Sequence, residues 1–281
     1  MTLRPMHKSA AIALLAAMLG AAPILADSPA PPPPPVPYAD LADLADGTPL
    51  VVRVSPRKLV QVEPERARGL RSGWGRFYVE ARTEALIAGT GSLGQQLRYL
   101  VDLPLDAKGK PAKLKKKSVV IFARAVPARP GELQLVAPDA QLLWNPDLDL
   151  RLRGVIKELY ASDAPQRIAG LREAIHVAGN LAGEGETQLF FATAKGEPAA
   201  ITVSRSPGRA PRWGVSFSEL VAAEGAVPAR DTLTWYRLAC FLPAQMPASA
   251  SVSGSAADRA AAARDYRFVM EQLGSCPRSR N

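Results

Sequence analysis

The feature that most constrains the fold is a strict alternation of side chains over residues 76–88. Phe77, Val79 and Ala81 fall on one side of this segment, whereas Tyr78 and Glu80 fall on the other. Because successive side chains of a strand point to opposite faces, the alternation predicts a long strand with one buried and one solvated face. Such a strand is stable only inside a sheet, so the first region must be built from β-structure.

Other segments of the first region are rich in β-branched residues or alternate in the same way. They are residues 48–54, 59–62, 96–103, 119–126 and 133–136. Turns rather than long helical segments separate them, which favours an antiparallel sheet over βαβ units. A small closed barrel would remove exposed edges, so we predict an OB-like antiparallel β-barrel over residues 47–144. Such barrels host many activities, and the fold by itself implies none.

A second β-rich domain is predicted for residues 145–281. Asn145 and Pro146 fit the cap and first position of a helix that links the domains. Ser255 and Asp258 resemble a capping box for a C-terminal helix whose apolar stripe stops at Gly274. Strands are expected between these helices, at residues 174–177, 187–193, 200–205, 212–217 and 232–238. The predicted fold class is therefore mainly β with a few helices.

The N-terminal segment has the pattern of a signal peptide. Arg4 and Lys8 precede an apolar run over residues 10–22, and Pro23, Ile24, Leu25 and Ala26 follow. The run is shorter than the roughly 20 apolar residues that a membrane-spanning helix needs, so no transmembrane domain is expected. We predict a signal peptide over residues 1–26 and a periplasmic or secreted protein. Cleavage after Ala22 or Ala26 and retention as an uncleaved anchor stay open.

Residues 27–46 are predicted to be a proline-rich linker. Five consecutive prolines occupy residues 31–35. Proline fixes φ and lacks an N–H donor, so this stretch favours polyproline II and cannot join a sheet. A stiff spacer is the expected role.

The two cysteines of the chain, Cys240 and Cys276, are expected to form a disulfide in an oxidising compartment. Closing this loop could contribute roughly 3 to 4 kcal/mol to stability. A redox-active pair is the alternative, but the spacing lacks the C-x-x-C geometry that lowers the pKa of a thiol.

A cluster of lysines over residues 108–117 is the strongest candidate binding segment. Its members are Lys108, Lys110, Lys113, Lys115, Lys116 and Lys117, with no acidic residue among them. Such a cluster attracts anionic polymers or surfaces, and salt weakens the attraction. Nucleic acid is not expected, because no aromatic residues interleave with the lysines to stack on bases. A solvated hairpin loop is the alternative interpretation.

Catalytic candidates are few. His176 is the one histidine outside the predicted signal peptide and could serve as a general base. Nothing in the spacing selects a serine partner among Ser204, Ser216 and Ser218. No cofactor is predicted, because the glycines of residues 89–94 precede a strand rather than the helix that a dinucleotide requires. No metal site is predicted from one histidine and a paired cysteine couple.

These patterns together predict an exported envelope protein that is a non-catalytic binding or scaffolding module. The expected partner is an anionic envelope component or another envelope protein. A periplasmic hydrolase that uses His176 is the alternative, so the sequence leaves open whether the protein is an enzyme. The oligomeric state is not predicted.

Overall fold

The computed structural model describes residues 1–2, 34–218 and 227–280. Almost all of the predicted signal peptide and the proline run up to Pro33 lie outside these residues. Pro35–Asn281 form one compact unit. The strands are β1 Leu50–Gln61, β2 Trp74–Gly89, β3 Gln96–Pro104, β4 Val119–Ala125, β5 Glu132–Leu135, β6 Gln141–Leu143, β7 Ile168–Ala178, β8 Gly185–Thr193, β9 Ala199–Arg205 and β10 Arg212–Ser216. The helices are α1 Tyr38–Ala45, α2 Pro146–Leu159, α3 Leu233–Ala239 and α4 Ala256–Leu273.

The first five strands form a closed barrel. Its order is β1-β2-β3-β5-β4, and β1 closes the circle by pairing with β4. The OB-like barrel expected from the sequence is confirmed, with one difference: β3 and β5 run parallel, whereas the other pairs are antiparallel. β6 pairs with residues 119–121 of β4, on the same edge of that strand as β5, which pairs with residues 123–125. The inner side chains, such as Val79, Tyr99 and Ile121, are almost fully buried.

β1 is one continuous strand that passes through Pro56, although the sequence predicts two segments. Only Leu50 to Val54 pair with β4, so the missing N–H of Pro56 falls beyond that ladder. The pairing with β2 also shifts register between Pro56 and Lys58. Proline is tolerated in strands at such irregularities, which also help a sheet to curl into a barrel.

Residues 38–45 lie inside the predicted linker but form the buried helix α1. Leu41 and Ala42 are completely buried, and Asp40 is 1 % exposed. The acidic side chains of α1 obscure its apolar character in the sequence, yet each has a partner in the fold. Tyr236 of α3, for example, donates a hydrogen bond to Asp43 over 2.6 Å. The extended linker therefore does not reach Asp46.

The helices α1, α2 and α3 pack on one another and are called here the helical layer. Glu158 of α2 joins all three, since it accepts hydrogen bonds from the Tyr38 hydroxyl (3.0 Å) and from the backbone N–H of Leu233 (2.5 Å). Burial raises the pKa of Tyr38 and of Tyr236 above the ordinary tyrosine value. No helix among the described residues is long and apolar enough to cross a membrane.

The second sheet is an antiparallel meander in the order β10-β9-β8-β7. It lies after the predicted boundary at residue 144, and the barrel lies before it. α4 packs on β7 and β8 and begins at Ser255, whose hydroxyl accepts from the N–H of Asp258 over 3.0 Å. It ends at Gly274, which has a positive φ of 68°. The predicted C-terminal helix and its caps are thus present.

The prediction of a strand at residues 232–238 is wrong, because this segment forms α3. Thr232 caps the helix by accepting from the N–H of Trp235 over 3.3 Å. Five of its seven residues are buried, so apolar side chains surround the axis and leave no amphipathic period to recognise. Cys240 accordingly lies at the end of a helix rather than of a strand.

Candidate functional site

The six lysines lie in the loop between β3 and β4, residues 105–118. The loop folds back on itself, since Asp106 accepts hydrogen bonds from the backbone N–H groups of Lys108 (2.8 Å) and Lys110 (2.9 Å). Leu105 and Leu114 anchor it by packing against the core. The loop therefore has a defined backbone conformation and is anchored to the barrel.

All six lysine residues of this loop are exposed. Within the described part of the chain, none of their side chains forms an ion pair. The one acid of the loop, Asp106, uses its side chain to accept backbone N–H groups. Six positive charges are thus presented to solvent, available to a ligand of opposite charge.

The loop between β1 and β2, residues 62–73, lies at the same end of the barrel. The N–H of Leu105 donates to the carbonyl of Gly73 over 2.8 Å, which joins the two loops directly. Arg66 and Arg68 of this loop are exposed, alongside Glu63 and Glu65. Residues 62–73 and 105–118 are called here the cationic end of the barrel.

Trp74 begins β2 at this end and is half-buried. The guanidinium of Arg71 lies 3.8 Å above its ring and also bonds to Asp139 over 2.6 Å. One ring face of Trp74 is thereby covered by the protein itself. Trp213 and Trp235 are only 3 % and 2 % exposed and belong to the core.

The outer face of the barrel carries an exposed apolar row across three strands. Val60, Tyr78 and Leu100 lie opposite one another in the register of β1, β2 and β3. Val60 is 46 % exposed and Leu100 is 49 % exposed. The sequence pattern places Tyr78 on the wet face of β2 but does not reveal which residues of other strands stand beside it.

Ion-paired rows flank this apolar row on both sides. On one side Arg76 donates to both oxygens of Asp102, over 2.7 and 2.9 Å, and these hydrogen bonds raise the pKa of the Arg76 guanidinium. On the other side Lys58 lies 3.6 Å from Glu80. Each of these two rows thus contains an ion pair, whereas the lysines of residues 105–118 form none within the described part of the chain.

An open groove of about 660 Å³ runs along this face towards β5. Tyr78, Leu100 and Val136 contribute its apolar lining, and Arg98 and Arg129 contribute guanidinium groups. Arg129 lies 3.4 Å from Glu132 at its edge. The lining of this groove can contact both apolar and hydrogen-bonding groups.

His176 lies on β7 beneath α4 and takes part in a chain of buried polar groups. Its Nδ1 is 2.8 Å from the Thr187 hydroxyl, which donates to Asp265, and Arg205 donates to the other oxygen of Asp265 over 2.5 Å. Since the single hydroxyl proton goes to Asp265, Thr187 accepts the proton of Nδ1–H. This chain fastens α4 to β7, β8 and β9.

The surroundings of His176 leave little room for a substrate. Its side chain is 8 % exposed, that of Asp265 is 1 % exposed, and Thr187 is fully buried. The ring also lies against Gly185, where an added Cβ would approach Cε1 to 2.7 Å. The arrangement is suited to packing rather than to proton transfer with a bound substrate.

Two of the candidate serines lie away from the His176 ring. Ser204 pairs with Glu186, the neighbour of Thr187, and therefore projects from the opposite face of the sheet. Ser216 lies on β10, three strands and about 14 Å from β7 at the usual strand spacing. Its hydroxyl is 2.9 Å from that of Ser218. The structure brings His176 together with Thr187 and Asp265 instead.

The sulfur atoms of Cys240 and Cys276 are 2.02 Å apart, at bonding distance, so the predicted disulfide is present. It joins the end of α3 to the segment that follows α4. Among the described residues, no group of three or more His, Cys, Asp or Glu side chains is arranged to hold a metal ion. No protein-family model matches this sequence, and no curated protein matches it either.

Proposed function

We propose that this protein is a non-catalytic binding module of the cell envelope that holds an anionic glycan on its barrel. The observation that carries the proposal is the loop of residues 105–118, whose six exposed lysines have no ion-pair partners among the described residues. Charges arranged in this way contribute little to folding and attract acidic groups at long range.

The outer face of the barrel supports a glycan as the ligand. Sugar rings present apolar faces and hydroxyl groups, which suit the row of Val60, Tyr78 and Leu100 and its ion-paired flanks. Acidic groups of the same chain would contact the cationic end. Simple glycerophospholipid headgroups, such as phosphatidylglycerol, offer the acidic groups but no sugar rings for the apolar row.

The compartment is part of the proposal. The signal-peptide pattern of residues 1–26 and the disulfide of Cys240 and Cys276 both suit an oxidising location, either the periplasm or the cell exterior. Polyanionic glycans and phosphorylated lipids are the abundant acidic components there.

A capture experiment from envelope fractions tests this proposal. The oxidised protein is immobilised as wild type, as a loop variant (Lys115→Glu, Lys116→Glu, Lys117→Glu) and as a control variant with the same charge change elsewhere (Lys157→Glu, Lys195→Glu, Arg209→Glu). We expect wild type and control to retain an acidic glycan that about 0.5 M salt releases, because added ions screen exposed charges. Equal retention by the loop variant, or retention of lipid alone, would contradict the proposal.

The alternative, a hydrolase that uses His176, is less well supported by the geometry because the ring is buried under α4. Substitution of His176 by Ala separates the two functions. A binding module keeps its glycan in the capture experiment, whereas a hydrolase loses its activity on envelope substrates.

A further inference from the structure

The last segment of the described chain, residues 275–280, lies as a strap across the helical layer and the barrel. It follows Gly274, and Cys276 ties it to Cys240 at the end of α3 with a Cα separation of 5.2 Å. Both cysteines are only partly buried and pack against the edge of the core. The strap is therefore held covalently at one point, the Cys240–Cys276 disulfide, which a reductant can break.

The strap supplies partners for carboxylates of α1. The backbone N–H and the hydroxyl of Ser279 both donate to Asp40, over 2.9 and 2.5 Å, and Asp40 is 1 % exposed. Arg278 donates to Asp43 over 2.6 Å. A buried carboxylate without partners is costly, so these contacts matter to the stability of α1.

The strap also joins α1 to the barrel. Arg280 donates to the carbonyl and to the carboxylate of Asp139, over 2.9 and 2.8 Å. Asp139 lies in the connection between β5 and β6. A groove of about 350 Å³ beside this contact is lined by Asp40, Asp43 and Asp139 together with Arg280.

We propose that the strap is a redox-sensitive cover over this acidic groove. A dithiol reductant transfers two electrons and two protons to the Cys240–Cys276 bond, which yields two thiols and the oxidised form of the reductant. Without the covalent tie, the strap is held by its own few polar contacts. Release removes Ser279, Arg278 and Arg280 from the three carboxylates, while Arg71 stays on Asp139 and the Tyr236 hydroxyl stays on Asp43. The loss of two guanidinium groups makes the groove more negative. This device does not depend on the glycan proposal.

Hydrogen exchange of the full chain, oxidised and after dithiol reduction, tests the cover. The N–H of Ser279 reports directly on the strap because it donates to Asp40, and the amides of β4 report on global unfolding. We expect the exchange of Ser279 to accelerate at least about tenfold on reduction while β4 stays protected, as in a local opening. The double variant Cys240→Ser, Cys276→Ser should behave like the reduced protein without reductant.

Two outcomes would overturn this proposal. Unchanged exchange at Ser279 would show that polar contacts alone hold the strap, and acceleration of β4 by the same factor would show global loosening. The variant Asp43→Asn, kept oxidised, is the control because it weakens the Arg278 contact but leaves the disulfide. This variant should accelerate the hydrogen exchange of the Ser279 amide clearly less than reduction does. Equal acceleration in the two cases would contradict a redox-sensitive cover.

Discussion

The charged side chains at the cationic end of the barrel differ from those around α1 and α4 in their exposure and in their partners. At the cationic end, the lysines of residues 105–118 are exposed and have no ion-pair partner in the described part of the chain. Around the helices, Asp40 and Asp265 are each 1 % exposed, and each accepts several hydrogen bonds. Paired and buried charges fasten elements together, whereas exposed unpaired charges are free to meet a ligand.

This contrast assigns different consequences to substitutions in the two regions. Loss of a buried partner leaves another group unsatisfied and destabilises the fold. Loss of an exposed lysine removes no contact and should change binding alone.

Loss of the disulfide should have the largest effect. Replacing Cys240 and Cys276 by Ser should lower the free energy of unfolding by roughly 3 to 4 kcal/mol, because the bond constrains an unfolded loop of 36 residues. Chemical denaturation of the oxidised wild type and the double variant measures the difference. A loss below about 1 kcal/mol would mean that the strap contacts alone hold the chain end.

Substitution of Asp265 by Ala should cost about 3 kcal/mol, since it leaves Arg205 and Thr187 without their acceptor beneath α4. Arg205 is partly exposed and can recover some hydration, which keeps the cost at the lower end for a buried pair. The exposed Glu271→Ala on the same helix is the control and should change stability by no more than about 0.5 kcal/mol. Similar losses in both variants would contradict the role of the buried chain.

The N-terminal cap of α2 should contribute less to the free energy of unfolding than Asp265 does. Asn145 accepts a hydrogen bond from the N–H of Leu148 over 2.8 Å, and Asn145→Ala should cost about 1 kcal/mol. Leu150→Ala on the same helix is the control, because this side chain is 73 % exposed. Thermal unfolding of both variants measures the two effects, and an equal change would contradict the cap.

The stability contributed by Asp46 should depend on pH. Burial acts to raise the pKa of Asp46, but the hydrogen bond and charge of Arg237, with the charge of Arg167, outweigh it and hold this pKa below its usual value. The contribution is therefore present above the unfolded pKa of about 4 and is lost as the pH falls through the folded pKa. The stability difference between wild type and Asp46→Asn should shrink from pH 7 to pH 3, and a constant difference would contradict this cause.

The smallest effect on stability is expected at the lysine loop. The variant Lys115→Glu, Lys116→Glu, Lys117→Glu should unfold within about 0.5 kcal/mol of wild type, since these exposed side chains lack ion-pair partners among the described residues. Denaturation at low salt measures this difference. A loss above about 1 kcal/mol would mean that the loop serves the fold, and the contrast between the two regions would fail.

The sequence was sufficient to predict many of the individual elements because their signals are local. Alternation in β2, the Asn145–Pro146 start of α2 and the Gly274 stop of α4 each act within a few residues, and the structure has all three elements. The parallel pairing of β3 with β5 depends on how distant strands meet, which no local pattern encodes. The apolar row of Val60, Tyr78 and Leu100 is hidden for the same reason.

Two helices were missed for a different reason. α3 is apolar on nearly every side, so it offers no period that separates a helix from a strand. α1 follows a proline run and carries Asp40 and Asp43, with Asp46 directly after it, which suggests a solvated linker. These three acids are instead paired with Ser279, Arg278 and Arg237, which lie about 190 to 240 residues away in the chain.

Whether the lysine loop binds an anionic glycan can be measured directly. The measurement is the affinity of the purified protein for one defined polyanionic glycan, dextran sulfate, across a range of salt concentrations. Wild type and the control variant (Lys157→Glu, Lys195→Glu, Arg209→Glu) should bind alike and weaken as salt increases, and uncharged dextran should not compete. The loop variant should bind at least about a hundredfold more weakly, since each of the three lysines near an anionic surface contributes about 1 kcal/mol. If all three proteins bind equally, or if the control weakens as much as the loop variant, the lysine loop is not the binding site.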